Sequence, residues 1–90
     1  MELPSEKLRL KWTRTWPDKA CDFAASDAGR NIGRIYLMPG VGNIPALWHW
    51  ACYGQIGRRL MNQSGKEEDP VDAAIAVETE WFKALTGVQP

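Results

Sequence analysis

The segment from Asn31 to Gly54 constrains the fold more than any other part of the chain. Its two halves are rich in β-branched and aromatic residues, which favour half-buried strands, and a loop with two prolines and two glycines separates them. Because proline lacks a backbone donor and glycine weakens a strand interior, the loop 39–45 ends one strand before the next begins. The sequence therefore predicts two strands, at 32–38 and 46–54.

Alternating residue types predict two more strands before this pair. From 8 to 14, apolar and polar residues alternate with a period of two, the pattern of a strand with one apolar and one cationic face. A weaker strand is expected at 20–26, and the five-residue connection 27–31 has Gly29 at its middle, which suits a hairpin with a longer turn. We therefore expect an antiparallel meander of four strands.

The C-terminal part of the chain predicts one loop and one helix. Residues 55–68 exceed the usual length of a connection, and we expect a loop there with only a short strand extension. Asp69 suits the N-cap of a helix and Pro70 its first position, while Gly87 suits its end. Because apolar residues recur between them at helical spacing, a helix is expected over 70–86.

One sheet and one helix make a two-layer α+β domain, in which the C-terminal helix covers one face of the four-stranded meander. Residues 1–90 are expected to form this single domain, with 1–7 frayed. Strand alternation divides the side chains between the two faces. The face toward the helix is expected to hold Leu8, Leu10, Trp12, Ile35, Leu37, Trp48 and Trp50. The outer face is expected to be cationic and aromatic, with Arg9, Lys11, Thr13, Arg34, Tyr36, His49 and Tyr53.

Charge is balanced overall but unevenly distributed along the chain. The eleven basic and eleven acidic residues cancel, so net charge favours neither nucleic acid nor a membrane as a partner. Residues 1–65 hold nine Lys or Arg against five Asp or Glu, whereas residues 66–90 hold two against six. We expect Asp72, Glu78 and Glu80 on the helix surface that faces away from the sheet.

Apolar runs and cysteine spacing bear on the compartment. No apolar run reaches the roughly 18 residues that a membrane helix needs, and the N-terminal residues lack the apolar core of a secretion signal. These features predict a cytoplasmic protein that does not enter a membrane. Cys21 and Cys52 lack the spacing of a zinc or redox site, so we expect two buried free thiols.

Catalytic and metal-binding patterns are weak in this sequence. His49 is the only histidine, and because residues three apart on a strand point to opposite faces, it is separated from Cys52. A nucleophilic pair of Cys21 and His49 is geometrically possible, although no nearby residue would orient the imidazole of His49. The acidic cluster 67–69 lacks the ligand pattern of a calcium loop, and 39–43 lacks the Lys and the helix of a phosphate loop. We expect no catalytic residue, no metal site and no cofactor.

Several short motifs together resemble those of a known protein group. They are the turn Asp27-x-Gly29-Arg30, the strand Gly33-Arg34-Ile35-Tyr36, the pair Trp48-x-Trp50 and a final helix with Ala73, Ala74 and Trp81. Over residues 8–85 the chain resembles a group of small uncharacterised bacterial proteins that are often found near mobile elements. The resemblance implies strands followed by a helix, and it implies no activity.

Two classes of function stay open after these exclusions. The favoured one is a non-catalytic interaction module that regulates or inhibits a protein partner, because Trp, Tyr, Met and Arg concentrate at interfaces. The alternative is a nucleic-acid-binding domain whose sheet offers rings for bases and cations for phosphates. The partner is expected on the outer sheet face and the segment 55–68. The candidate partner-binding residues are Arg9, Lys11, Arg34, Tyr36, His49, Tyr53, Arg58 and Arg59.

Overall fold

The computed structural model describes residues 6–16, 18 and 21–87. In them, an antiparallel sheet of five strands packs against one C-terminal helix, and a two-stranded hairpin precedes the last sheet strand. The elements are β1 (Lys11–Arg14), β2 (Asp22–Asp27), β3 (Arg30–Met38), β4 (Leu47–Cys52), β5 (Gln55–Ile56), β6 (Arg59–Leu60), β7 (Gln63–Glu67) and α1 (Pro70–Gly87). The α+β class is confirmed, whereas the predicted count of four strands is wrong. Ala20 of the second predicted strand and residues 1–5 of the predicted frayed segment lie outside the described residues.

The fifth sheet strand, β7, occupies part of the segment that was predicted as a loop. The sheet order is β1-β2-β3-β4-β7, and every neighbouring pair is antiparallel. No strand pattern marks β7, because its sequence Gln-Ser-Gly-Lys-Glu has no apolar alternation. The strand β7 is instead stabilised by its pairing with β4. Directly opposite Gly65, the indole of Trp50 packs on the glycine backbone, and a Cβ added to Gly65 would lie 2.6 Å from Nε1 of Trp50.

Two-residue turns connect β2 to β3 and β5 to β6. Ala28 (φ 53°) and Gly29 (φ 82°) both have positive φ, as in the type I′ turn that twists with its strands. The predicted five-residue connection is therefore wrong, because Asp27 pairs directly with Arg30. Gly57 (φ 62°) makes a similar reversal in the β5–β6 hairpin, which is the short strand extension expected there.

A β-bulge in β3 changes which of its side chains face inward. Ser26 pairs with Asn31 and Ala25 with Gly33, so Ile32 is an extra residue without a partner in β2. The bulge turns Ile32 inward, and its side chain is 1% exposed, whereas strict alternation would place it on the outer face. Beyond the bulge the regular alternation of β3 resumes.

The helix begins as predicted, with Asp69 at its N-cap. Oδ1 of Asp69 accepts a hydrogen bond from the backbone N of Val71 at 2.8 Å, which satisfies one free donor of the first turn. The helix lies on β3, β4 and β7, and Ala74 and Val77 have no exposed surface there. Gly33 permits the close approach, because a Cβ at its position would come within 2.3 Å of Cγ1 of Val77.

Two tryptophan side chains are fixed by carboxylates inside the fold. Glu78 is 4% exposed and accepts a hydrogen bond from Nε1 of Trp12 at 2.9 Å. It also accepts from two backbone N atoms just before β1, at 2.8 and 2.9 Å. Its predicted position on the solvent side of the helix is therefore wrong, because these donors need a buried acceptor. Asp27 likewise accepts from Nε1 of Trp81 at 2.8 Å.

The core lies between the sheet and the helix, where most predicted inward residues are found. Trp12 and Ile35 are buried in it, and the partly buried side chains of Leu8, Leu10, Trp48 and Trp50 pack against it. Leu37 stands directly opposite Trp48 on the same face. Trp16 differs from the other tryptophans, because half of its surface is exposed.

Candidate functional site

The register of the sheet arranges its outer face as two neighbouring rows of side chains. Residues directly opposite each other in paired strands point to the same face. One row, the tyrosine row, crosses β2, β3, β4 and β7 and consists of Asp22, Tyr36, His49 and Lys66. The other, the arginine row, crosses all five strands and consists of Thr13, Ala24, Arg34, Ala51 and Ser64.

Arg34 is the charged centre of this face. Its Nε donates a hydrogen bond to Oδ1 of Asp22 at 2.9 Å, and its Nη2 donates to Oδ2, which makes a two-point ion pair. These hydrogen bonds raise the pKa of Arg34 above its usual value, against the lowering effect of burial. Because the Asp22 side chain is 7% exposed and the Arg34 side chain 40%, the pair presents its cation and encloses its anion.

Aromatic rings continue the face beside the guanidinium. Cζ of Arg34 lies 4.8 Å from the ring centre of Tyr36, a cation–π distance, and the ring centres of Tyr36 and His49 are 5.5 Å apart. Lys66 follows opposite His49 on the edge strand β7, where it is exposed. The two alanines of the arginine row flank Arg34, so neither neighbour in that row covers the guanidinium with a large side chain.

Tyr53 extends the outer face toward the β5–β6 hairpin. Its hydroxyl donates a hydrogen bond to the carbonyl oxygen of Gly33 at 3.4 Å, while 39% of the residue stays exposed. Burial raises the pKa of Tyr53, and the positive charge of Arg34 opposes that rise. The hydroxyl of Tyr53 therefore lies against the backbone of Gly33, the residue that precedes Arg34 on β3.

Five of the predicted partner-binding residues share the outer face, namely Lys11, Arg34, Tyr36, His49 and Tyr53. Arg9 does not, and its predicted position on that face is wrong. Because β1 begins only at Lys11, the strand alternation does not extend to Arg9, and its guanidinium lies 4.0 Å from the ring centre of Phe82 on the helix.

The two remaining predicted residues lie on the β5–β6 hairpin. Arg58 is in its two-residue turn and is exposed. Arg59 begins β6 and lines a shallow cavity with Glu80 and Lys83 of the helix. The hairpin therefore lies outside both rows of the sheet, and its Arg59 is near the helix.

Sequence reasoning missed two members of the tyrosine row. Asp22 could have been found, because it lies two residues before Ala24 within a predicted strand and so shares its face. Lys66 could not be found in this way, since no apolar alternation marks β7.

His49 and Cys52 lie on opposite faces of β4, as alternation predicts. Cys52 is free and 1% exposed, and burial raises its pKa. Cys21 is free as well but exposed, so the expectation of a buried thiol is wrong there. Among residues 6–16, 18 and 21–87, no group of three or more His, Cys, Asp or Glu side chains is placed to hold a metal ion.

Comparisons with protein-family models, with curated proteins and with solved structures found no match. The resemblance to small bacterial proteins stays a prediction. Within the part of the chain that the structure describes, no helix is both long enough and apolar enough to cross a membrane.

Proposed function

We propose that the protein is a non-catalytic module that binds nucleic acid through the outer face of its sheet. The observation that carries the proposal is the tyrosine row, where Tyr36, His49 and Lys66 stand side by side next to the exposed cation of Arg34. Rings offer stacking surfaces for bases and cations offer partners for phosphates. One face thus supplies both kinds of contact.

The arrangement of charges also supports a polyanion as the partner. Glu78 is buried, and Asp22 is tied to Arg34, so neither carboxylate faces an incoming phosphate freely. Lys11 and Lys66 stand on the two edge strands of the sheet. At a strand spacing of about 4.8 Å, four spacings separate these edges by about 19 Å. Lys66 ends the tyrosine row beside His49, whereas Lys11 lies opposite Ser26, four residues along β2 from Asp22, so each edge of the outer face carries a cation.

The proposal is tested by the anisotropy of fluorescein-labelled oligonucleotides over a series of salt concentrations. Wild-type protein should bind more weakly as salt rises, because counterion release contributes to phosphate binding. Combined Lys11→Ala and Lys66→Ala should reduce the slope of log K against log salt by about 0.7 for each phosphate of a single strand that the variant no longer neutralises. Arg34 stays unchanged in this test, since its removal would break the two-point ion pair with the buried carboxylate of Asp22 and so lower the stability of the fold.

Lys83→Ala is the matched control, because Lys83 is an exposed cation on the helix. It should leave both the affinity and the salt slope unchanged. Failure of the wild type to bind any oligonucleotide would contradict the proposal. So would a loss of affinity from Lys83→Ala equal to that from the two outer-face changes.

A protein partner is the second candidate, and the exposed β5–β6 hairpin favours it. Leu60 is 69% exposed and follows Arg59 directly, with Arg58 in the adjoining turn. Guanidinium groups beside exposed apolar side chains are typical anchors of protein interfaces. Under this alternative, affinity capture should retain a partner after nuclease treatment, and Leu60→Ser should release it. A capture that nuclease abolishes would favour nucleic acid instead.

A further inference from the structure

A groove opens at one end of the molecule, between the β2–β3 turn and the β5–β6 hairpin. It encloses about 700 Å³, and its lining includes Arg30, Asn31, Ile32, Tyr53, Gln55 and Leu60. This set combines an aromatic ring, two carboxamides and a guanidinium with the exposed apolar side chain of Leu60. Such a mixture matches a planar, polar-edged ligand with a nearby negative charge.

The groups that line the groove offer contacts for an unpaired nucleobase. Tyr53 presents a partly exposed ring, which its hydrogen bond to the Gly33 carbonyl oxygen helps to orient. Gln55 donates through Nε2 to the carbonyl oxygen of Gly57 at 2.9 Å, so its Oε1 is left as an acceptor. Asn31 adds a second carboxamide, and carboxamides match the donor and acceptor edges of bases.

The groove joins the outer face along β3. Arg30 and Tyr53 line the groove, and Arg34 and Tyr36 follow Arg30 on the same strand. The hydroxyl of Tyr53 donates to the carbonyl oxygen of Gly33, the residue before Arg34. At about 3.4 Å per residue, the distance along β3 from Arg30 to Tyr36 is about 20 Å. A path of this length, with cations and rings along it, accommodates several nucleotides of an extended strand.

We propose that the partner is single-stranded nucleic acid, laid along this path with one unpaired base in the groove and stacked on Tyr53. The inference rests on the proposed function of the outer face. A duplex fits less well, because a sheet of five strands, about 19 Å across, is wider than the DNA major groove at about 12 Å. Bases inside a duplex are also paired and stacked, so none would be free to enter the groove.

Three fluorescein-labelled probes of equal length test the inference: an oligothymidine strand, a strand of abasic nucleotides and a duplex. Anisotropy should show the tightest binding to oligothymidine and about a hundredfold weaker binding to the abasic strand, which keeps its phosphates but has no bases to stack on Tyr36 and Tyr53. Equal binding of the abasic strand, or duplex binding at least as tight, would overturn the inference and leave phosphate binding by the outer face standing. Binding of no probe would overturn both.

Tyr53→Leu and its matched control Tyr53→Phe test the ring itself. Tyr53→Phe should keep the preference for oligothymidine, whereas Tyr53→Leu should weaken oligothymidine binding about tenfold and leave abasic binding unchanged. An equal loss of affinity for both probes would overturn the stacking role. If Tyr53→Leu fails to fold by circular dichroism, Gln55→Ala at an exposed position makes the same comparison. It should weaken only oligothymidine binding, and an unchanged preference would overturn the inference.

Discussion

The two sides of the sheet use similar residue types for different purposes. On the helix side, Trp12 and Trp81 are nearly buried, and their indole nitrogens donate to carboxylates within the fold. On the outer side, Tyr36 and His49 contact each other and stay partly exposed. Aromatic side chains thus occur on both sides of the sheet, and those of Trp12 and Trp81 are distinguished by burial together with an indole hydrogen bond to a carboxylate.

The carboxylates of the two sides differ in a related way. Glu78 accepts hydrogen bonds from an indole and from backbone N atoms before β1, so it holds the N-terminal segment to the helix. Asp22 binds the guanidinium of Arg34 through both oxygens and so fixes a cation on the outer face. Glu78 therefore stabilises packing inside the fold, whereas Asp22 holds the guanidinium of Arg34 in place on the outer face.

The largest effect is expected on the helix side, from Trp81→Ala. Removal of the ring opens a cavity between helix and sheet and leaves Asp27 without its indole donor. The free energy of unfolding should therefore fall by about 3–5 kcal/mol, measured by urea denaturation. A decrease below about 1 kcal/mol would show that Trp81 is not central to the core.

A slightly smaller effect is expected from Glu78→Ala. The indole of Trp12 and the backbone donors before β1 lose their acceptor, so the free energy of unfolding should fall by about 3 kcal/mol. Glu80→Ala, two residues further along the helix, is the matched control and should change it by less than about 0.5 kcal/mol. Equal decreases from both would place Glu78 outside the core.

Tyr36→Ala on the outer face should affect stability much less. It removes ring contacts with His49 and Arg34, which are worth about 1 kcal/mol for a cross-strand pair. Binding of oligothymidine should nevertheless weaken about tenfold, because the variant lacks one stacking surface. If the urea midpoint instead fell as far as for Trp81→Ala, the contrast between the two sides would fail.

Thiol labelling compares an exposed cysteine with a buried one and needs no substitution. Cys21 is exposed, whereas burial encloses Cys52 and raises its pKa, so less of it is thiolate at neutral pH. Ellman's reagent should react quickly with Cys21 alone, and with Cys52 only after unfolding. In the folded protein, the slow reaction at Cys52 should accelerate at a higher pH than is usual for a thiol. Fast reaction of both thiols at neutral pH would show that the helix side is open.

The predictable parts of the fold are those that local signals mark. Apolar alternation located the first sheet strand, β-branched and aromatic residues on either side of the loop 39–45 located β3 and β4, and Asp69 with Pro70 located the start of the helix. The polar strand β7 carries no such signal, and pairing with β4 forms it. The β2–β3 turn was missed because Ala28 adopts a positive φ that is uncommon outside glycine.

The candidate site was predictable wherever strand alternation applied. Tyr36 and His49 were correctly predicted to share one face. The predicted position of Arg9 on that face was wrong, because β1 begins after Arg9. Glu78 stands four residues after Ala74, so its helical position already indicated the buried stripe. What sequence could not supply was the set of donors that the tertiary fold brings to its carboxylate.

An NMR titration with oligothymidine, followed on side-chain signals of both sides of the sheet, is the most direct test of whether the outer face binds nucleic acid. The ring signals of Tyr36 and His49 should shift most, while the indole N–H signals of Trp12 and Trp81 should hardly change. Those indoles are a sound reference, because carboxylates inside the fold hold them. Shifts concentrated on the helix around Lys83, with the rings of Tyr36 and His49 unperturbed, would contradict binding at the outer face.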